Sequence, residues 1–375
     1  MSDTNFFRSP LCVAADSCPV QQTKTAVADR STSVLFIGAF SAPSQGSRGI
    51  SEDLCARLGS MGWQMRIVSQ RPSRAGRLSE MLRTTWHERD RYQVAAIDVY
   101  SGPAFYWAKA VCRIVRQAGK PYILMLHGGN LPEFASRMPK LVRSLLSSAA
   151  AVTTPSAYLM ERMKPYRHNI QLLPNAINLA NYTFRLPRRG IPRLIWLRAF
   201  HEVYNPVMAV RVLADLTRDF PTIHLTMVGP DKGDGSLQKT IQAADSLGVT
   251  DNLTIKGAVQ KEDVPKMLAI GDIFLNTSRI DNTPVSVLEA MASGSCVVST
   301  NVGGIPYLFE AEHDALLVPS EDAQSMANAV RRIVAKPDLS CELSCNARRK
   351  AERFDWSIIL PCWQELFSCV LSLDS

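Results

Sequence analysis

Twelve short apolar runs, separated by stretches of helical periodicity, restrict what this chain can fold into more than any other feature. In the first half the runs fall at 33–39, 64–69, 93–100, 121–127, 150–154 and 170–173. In the second half they fall at 193–197, 223–228, 253–256, 272–276, 296–299 and 315–318. Most are continuous runs of about four to eight residues, the pattern of strands buried on both faces of a parallel sheet. Segments such as 51–61, 105–117, 205–218 and 284–293 carry helical spacing between them. Strand–helix alternation of this kind predicts doubly wound α/β layers. The alternation breaks at 181–192, which carries two prolines, a glycine and several arginines, and then restarts. We therefore expect two such domains, at 31–183 and 193–355, joined by a linker at 184–192. A mobile leader is expected at 1–30. A C-terminal helical segment at 356–375, interrupted by Pro361 into two short helices, is expected to cross back onto the first domain.

Two domains agree with 375 residues, and 46% hydrophobic residues are enough for packed interiors. No apolar run reaches bilayer length; 121–126 is strand-sized. The first thirty residues lack a charged start followed by an apolar core, so they do not read as a secretory signal, and a cytoplasmic location is expected. Nine cysteines without a Cys-x-x-Cys pair fit reduced thiols better than a disulfide framework or a zinc site. The net charge of +8 is uneven: residues 31–180 carry +11 and residues 181–375 carry −3. The basic half, with Arg66, Arg71, Arg74, Arg77 and Arg83 around its second strand, suits an anionic membrane surface or lipid phosphate. A merely solvated face explains it about as well. Without aromatic interleaving or a nucleic-acid motif, nucleic acid is the weaker partner.

The stretch most informative about chemistry runs from Ser278 to Gly294. Thr283 suits an N-cap and Pro284 a first helical position, which predicts a helix whose free amides open at the carboxyl edge of the second sheet. Such a helix start is an anion site, and a diphosphate is a natural occupant. Asp281 lies just before it and Glu289 in its second turn. They can receive sugar hydroxyls on either side of a diphosphate, or serve as a cap and an ordinary helix acid; the residues alone leave both open. No Asp-x-Asp motif is present to hold a metal beside phosphates, and none is expected. In the first half His127-Gly128-Gly129 follows a strand and points at its carboxyl edge. On residue type alone a satisfied, capped histidine is the commoner explanation. The loop after the first strand carries Gly46, Arg48 and Gly49, a pattern that can cradle an anion but does not match Gly-x-Gly-x-x-Gly.

A carboxylate, seven residues, Glu289, Ala290-Met291-Ala292, Gly294, a strand at 296–300 and then Gly303-Gly304 together resemble the family-4 retaining glycosyltransferases of GT-B fold. The resemblance extends over most of 31–375. It implies two Rossmann-like domains facing a cleft, with the acceptor on the first and a nucleotide-diphosphate-sugar on the second. It implies that Asp281 contacts the transferred sugar, that Glu289 holds the ribose, and that backbone near Asn282, Thr283, Pro284, Val285 and Ser286 holds the diphosphate. Arg198, at the end of the strand 193–197, would contact the donor phosphate, and His127 the donor sugar or the transition state. The family usually has Glu where Asp281 stands. It usually has Lys-Gly a few residues after the arginine, where this chain has Val203-Tyr204-Asn205-Pro206. Asn205 is placed as a hydrogen-bond donor without the lysine's charge. The implied reaction is metal-independent transfer of a sugar to an acceptor hydroxyl with retained configuration, in glycan, polysaccharide or glycolipid synthesis, at or near the membrane. Two rivals remain on the same architecture: a sugar-nucleotide epimerase, and a non-catalytic sugar-nucleotide-binding protein.

Overall fold

The computed structural model describes residues 32–38, 49–68 and 73–372. The chain divides into two compact units. Among the described residues the first holds 32–38, 49–68, 73–174 and 359–372, and the second holds 175–358.

Each unit is built on a six-stranded sheet, and every described strand pairing is parallel. The first contains β1 (Ser33–Ile37), β2 (Gln64–Val68), β3 (Val94–Val99), β4 (Tyr122–Leu126), β5 (Ala151–Thr154) and β6 (Ile170–Leu172), in the order β2-β1-β3-β4-β5-β6. The second contains β7 (Arg193–Leu197), β8 (His224–Val228), β9 (Leu253–Lys256), β10 (Ile273–Asn276), β11 (Cys296–Thr300) and β12 (Leu316–Val318), in the order β12-β11-β10-β7-β8-β9. All twelve expected strands are present, with ends within two residues of the sequence reading. In each sheet the direction of winding reverses once: between β1 and β3, and between β7 and β10. At such a reversal the crossover segments leave to opposite faces, and a crevice opens outside the carboxyl ends of the two strands.

Alternation along the central strands explains why they are apolar throughout. Leu194, Trp196, Ile273, Leu275, Cys296 and Val298 enter one core of the second unit, while Ile195, Phe274 and Val297 enter another on the opposite face. All nine are essentially inaccessible. Burying such a side chain contributes roughly 1.5–3 kcal/mol, so neither face can be left to water.

Two local expectations change. The C-terminal segment is one helix, Trp356–Ser372, with Pro361 inside it. Proline removes the bond its N–H would make to the carbonyl of Ser357, but burial of Trp356, Ile359, Trp363, Leu366, Phe367 and Val370 keeps the helix whole. From Ile359 onward it groups with the first unit, where the rings of Trp63 and Phe367 lie 5.6 Å apart. The segment expected as a linker packs on the second unit. The Arg185 guanidinium donates to Asp272 at 2.9 Å, and the N–H groups of Arg188 and Arg193 donate to the same buried carboxylate at 3.1 and 3.0 Å. The division between units falls earlier, at Pro174–Asn175.

Candidate active site

The carboxyl ends of β7 and β10 gather the polar groups of the second unit. Arg198 directly follows β7, and Ser278 and Asp281 follow β10. The guanidinium of Arg198 pairs with the Asp281 carboxylate. Both side chains are largely buried, at 15% and 11% exposure, so the charges are removed from water together. Burial pulls the Arg198 pKa down, opposed by the charges of Tyr204 and Glu289. The Tyr204 ring lies under the guanidinium, 4.5 Å from Cζ, a cation–π contact.

Asp281 is fixed from several directions. Ser278 Oγ donates to Oδ2 at 3.0 Å and the Asn282 N–H to Oδ1 at 3.0 Å. Thr300 Oγ1 donates to the Ser278 carbonyl at 2.6 Å, tying this loop to the end of β11. Behind it the Gly304 N–H donates to the Asp281 carbonyl at 2.9 Å. Gly303, at φ +54°, approaches so closely that a Cβ there would lie 2.1 Å from the Asp281 oxygen. The Gly303-Gly304 pair is therefore a backbone clamp on the loop that carries the acid.

The adjoining helix is Val285–Ser293. Pro284, expected at the first helical position, is instead the N-cap: its ψ of 122° is extended, and as proline it brings no side-chain acceptor. Thr283 does not take the capping position; its carbonyl accepts from Asn175 Nδ2 at 3.0 Å. The first intrahelical bonds run from the Val287 and Leu288 N–H groups to the Pro284 carbonyl, so the amides of Val285 and Ser286 form the open end of the helix. Glu289, only 5% exposed, accepts from Tyr182 Oη at 2.7 Å. Three buried polar atoms here have no hydrogen-bond partner among the described residues: Arg198 Nε, Asn282 Oδ1 and Ser286 Oγ. Buried polar groups are rarely left so; these three belong to Arg198, which pairs with Asp281, and to two residues flanking the start of this helix.

Asn205 is buried and left-handed (φ 46°), and its Nδ2 donates to Glu321 Oε2 at 3.1 Å. Its amide is thus engaged away from the Arg198–Asp281 pair. His201 caps the short turn Glu202–Tyr204 by accepting from the Val203 N–H at 3.2 Å.

In the first unit His127 follows β4 and is hydrogen-bonded through Nε2 to Asp98 Oδ1 at 2.9 Å. Tyr100 stacks on its ring at 5.1 Å. Gly46 and Arg48 lie outside the described residues. Gly49 caps the helix Ile50–Ser60, and its N–H donates to the Glu52 carboxylate at 2.7 Å. Arg71 and the side chain of Arg74 are also outside the described residues; Arg66 pairs with Glu88 at 2.6 Å, and Arg83 is exposed. Among the described residues no three of His, Cys, Asp and Glu come together as a metal site requires. No helix there is long and apolar enough to cross a membrane.

Residues 188–350, which contain the whole Arg198–Asp281–Glu289 arrangement, match the family described as Glycosyl transferases group 1. The second unit is a group 1 glycosyl transferase domain. Among curated proteins the chain is 26% identical over 274 residues to D-inositol 3-phosphate glycosyltransferase of Salinispora arenicola, covering 67% of this chain and 61% of that protein. It is 24% identical over 283 residues to a putative teichuronic acid biosynthesis glycosyltransferase, TuaC, of Bacillus subtilis, covering 71% and 69%. A further D-inositol 3-phosphate glycosyltransferase, from Saccharomonospora viridis, is 29% identical but matched over only 41% of its length. Among solved structures, sucrose-phosphate synthase from Thermosynechococcus elongatus superimposes with a TM-score of 0.78 at 18% identity, covering 91% of this chain and 100% of that one. Anabaena Alr3699/HepE, solved in complex with UDP and glucose, gives 0.72 at 16%, covering 90% and 100%. These likenesses establish the fold: two parallel-sheet α/β domains of the GT-B type.

Within this group 1 domain, the sequence reading named Arg198, Asp281 and Glu289 as candidates but missed the groups that hold them. Tyr204 sits in the segment that replaces Lys-Gly, and nothing in its type announces that its ring meets Arg198. Tyr182 lies more than one hundred residues from Glu289. Ser278 was inside the recognised stretch, and its spacing of three from Asp281 was the available signal. In the first unit, Asp98 stands as an acid at the end of an otherwise apolar strand, a conflict that could have singled it out.

Proposed function

We propose that this protein is a retaining, metal-independent glycosyltransferase that takes a sugar from a nucleotide-diphosphate-sugar held at the carboxyl edge of its second sheet. The observation that carries the reading is the buried Arg198 guanidinium beside an open helix start, with Arg198 Nε, Asn282 Oδ1 and Ser286 Oγ unpartnered. In this assignment the diphosphate meets the Val285 and Ser286 amides and Arg198, a task suited to a helix N-terminus and a guanidinium fork. Asp281 receives hydroxyls of the transferred sugar and Glu289 the ribose. The bond from the anomeric carbon to the diphosphate breaks, and a bond to the acceptor oxygen forms on the same face. The acceptor proton passes to the leaving phosphate. Catalysis is then mostly orientation and stabilisation of charge on the leaving group.

The relatives' names support an acceptor hydroxyl on a polyol or glycan, and the UDP complexes of Alr3699/HepE support a nucleoside-diphosphate donor. A thermal-shift screen of UDP-, GDP- and ADP-sugars tests the donor assignment, since a ligand raises apparent stability by mass action. One class stabilising the protein, with transfer only when an acceptor is added, is the expected result. Interconversion of the sugar nucleotide without acceptor would mean an epimerase. Binding without transfer across a broad acceptor panel would mean a binding protein.

The first unit is proposed to dock reversibly on an anionic membrane. The +11 balance of 31–180 supports this, as do the helices Pro103–Gln117 and Pro139–Ser147, which carry no acidic residue. Lys109, Arg113 and Arg116 are exposed on Pro103–Gln117, and Arg83 and Trp86 are exposed on the helix Arg74–His87. Each basic side chain near such a surface contributes roughly 1 kcal/mol, screened by salt. Flotation with anionic liposomes at low salt, lost at high salt, is expected; equal partition onto neutral liposomes would contradict it.

A further inference from the structure

We propose that Asp98 is a positioning residue that fixes His127 as the Nε2–H tautomer, so that Nδ1 accepts a hydrogen bond from a sugar hydroxyl at the carboxyl edge of the first sheet. The proposal rests on the transferase reading for the hydroxyl's identity, but its geometry is independent of that reading.

Asp98 is the penultimate residue of β3, in a burial environment that is otherwise apolar along the strand. Its side chain is 5% exposed. An acid is costly there unless something requires it. The backbone makes room for it: a Cβ on Gly38, at the end of β1, would lie 2.1 Å from Asp98 Oδ2. The carboxylate thus lies against Gly38 at the carboxyl ends of the paired strands β1 and β3, where the winding of this sheet reverses. Open α/β sheets bind ligands at that place. On the other side, after β4, is His127, with Nε2 2.9 Å from Asp98 Oδ1.

An ionised carboxylate can only accept. The proton on this contact must therefore belong to His127 Nε2, and a neutral ring then has its lone pair on Nδ1. Tyr100 stacks on the ring at 5.1 Å with an interplanar angle of 22°, which limits its rotation. Nδ1 has no hydrogen-bond partner among the described residues, and the side chain retains 20% exposure. A fixed ring with one open acceptor nitrogen recognises a hydroxyl donor. It does not recognise a phosphate oxygen or a carbonyl, which have no proton to give. This distinguishes the first edge from the second, where the Arg198 guanidinium and the open Val285 and Ser286 amides are donors that suit an anion.

Two readouts test the assignment. Nitrogen-15 NMR at about pH 8 reports the ring tautomer of each of the six histidines, and His127→Gln identifies the signal of His127. The wild type is expected to hold the Nε2–H form, and Asp98→Asn, nearly isosteric, to lose that preference while its melting temperature stays close to wild type. UDP release from UDP-glucose is the second readout. A misoriented reacting group costs on the order of 100-fold, so kcat should fall by about that factor in Asp98→Asn while KM for UDP-glucose changes little. A wild-type ring protonated on Nδ1, or an Asp98→Asn protein with wild-type tautomer and turnover, would overturn the proposal. Failure of the transferase reading looks different: no donor is turned over by the wild type, while the tautomer preference remains and depends on Asp98.

Discussion

The carboxyl edges of the two sheets occupy equivalent places, each beside the reversal in strand order, yet they are built from opposite materials. At the first edge a single carboxylate, Asp98, meets a neutral-capable ring, His127, with Gly38 giving way behind it. At the second a guanidinium–carboxylate pair, Arg198 and Asp281, is taken out of water and enclosed by Ser278, Asn282, Tyr204 and the Gly303-Gly304 clamp. The same topology therefore supplies the place but not the chemistry. A hydroxyl needs one oriented acceptor. A diphosphate needs positive charge held ready in a low-dielectric pocket, and holding that charge without ligand needs an internal counter-ion.

The sharpest way to break this comparison is to remove each carboxylate. Asp281→Ala leaves Arg198 buried without its partner and is expected to cost about 3–5 kcal/mol of stability. Asp98→Ala loses one charge-assisted hydrogen bond, roughly 1.5–3 kcal/mol. Urea unfolding midpoints, read by tryptophan fluorescence, should preserve that order; a larger loss for Asp98→Ala would mean that the edges were misjudged.

An effect smaller than that of Asp281→Ala and comparable to that of Asp98→Ala is expected at Tyr182→Phe, which strips one donor from the buried Glu289. The loss should be about 1.5–3 kcal/mol, with weaker nucleoside-diphosphate affinity and an unchanged His127 tautomer. Unchanged stability and affinity would remove Tyr182 from the donor side. The smallest effect is a pH dependence at the rim of the second edge. Asp234 accepts from the Glu202 and Ser236 N–H groups at 2.8 and 3.0 Å, and the Glu202 bond is the main cause of its pKa falling from 3.8 to about 2. A depressed carboxyl pKa gives stability that is complete above 3.8 and is lost as pH falls through 2. Asp234→Asn should erase that part of the acid sensitivity; an identical acid profile in the variant would show that the bonds do not hold in solution.

The parts of this fold that the sequence made legible are those governed by local pattern. The run 296–298 is apolar because both faces are buried, and that same cause made the central strands readable, whereas the edge strands β2 and β9 are mostly half-buried or exposed and were legible through their place in the alternation. Where a local rule competes with tertiary packing, reading failed. Pro361 should have split the last helix, but six buried side chains outweigh one lost hydrogen bond. The arginines of 185–188 read as part of a linker because their partner, Asp272, lies more than eighty residues away. In the site, the spacing of Asp281 and Glu289 was visible as a motif. Tyr182, Tyr204 and Asp98 were not, since each acts on a partner brought close only by the fold. The expected stand-in for the missing lysine, Asn205, faces Glu321, while the ring of Tyr204 meets Arg198.

The central claim is that the second edge holds a nucleotide-diphosphate-sugar through Arg198. Isothermal calorimetry of wild type and Arg198→Ala against UDP-, GDP- and ADP-sugars tests it most directly. The account predicts that one donor class binds the wild type, and that Arg198→Ala loses about 100-fold or more of that affinity, as expected for a lost charge-assisted fork of roughly 3 kcal/mol. Wild-type affinity in Arg198→Ala, or no binding of any of these donors to the wild type, would contradict it.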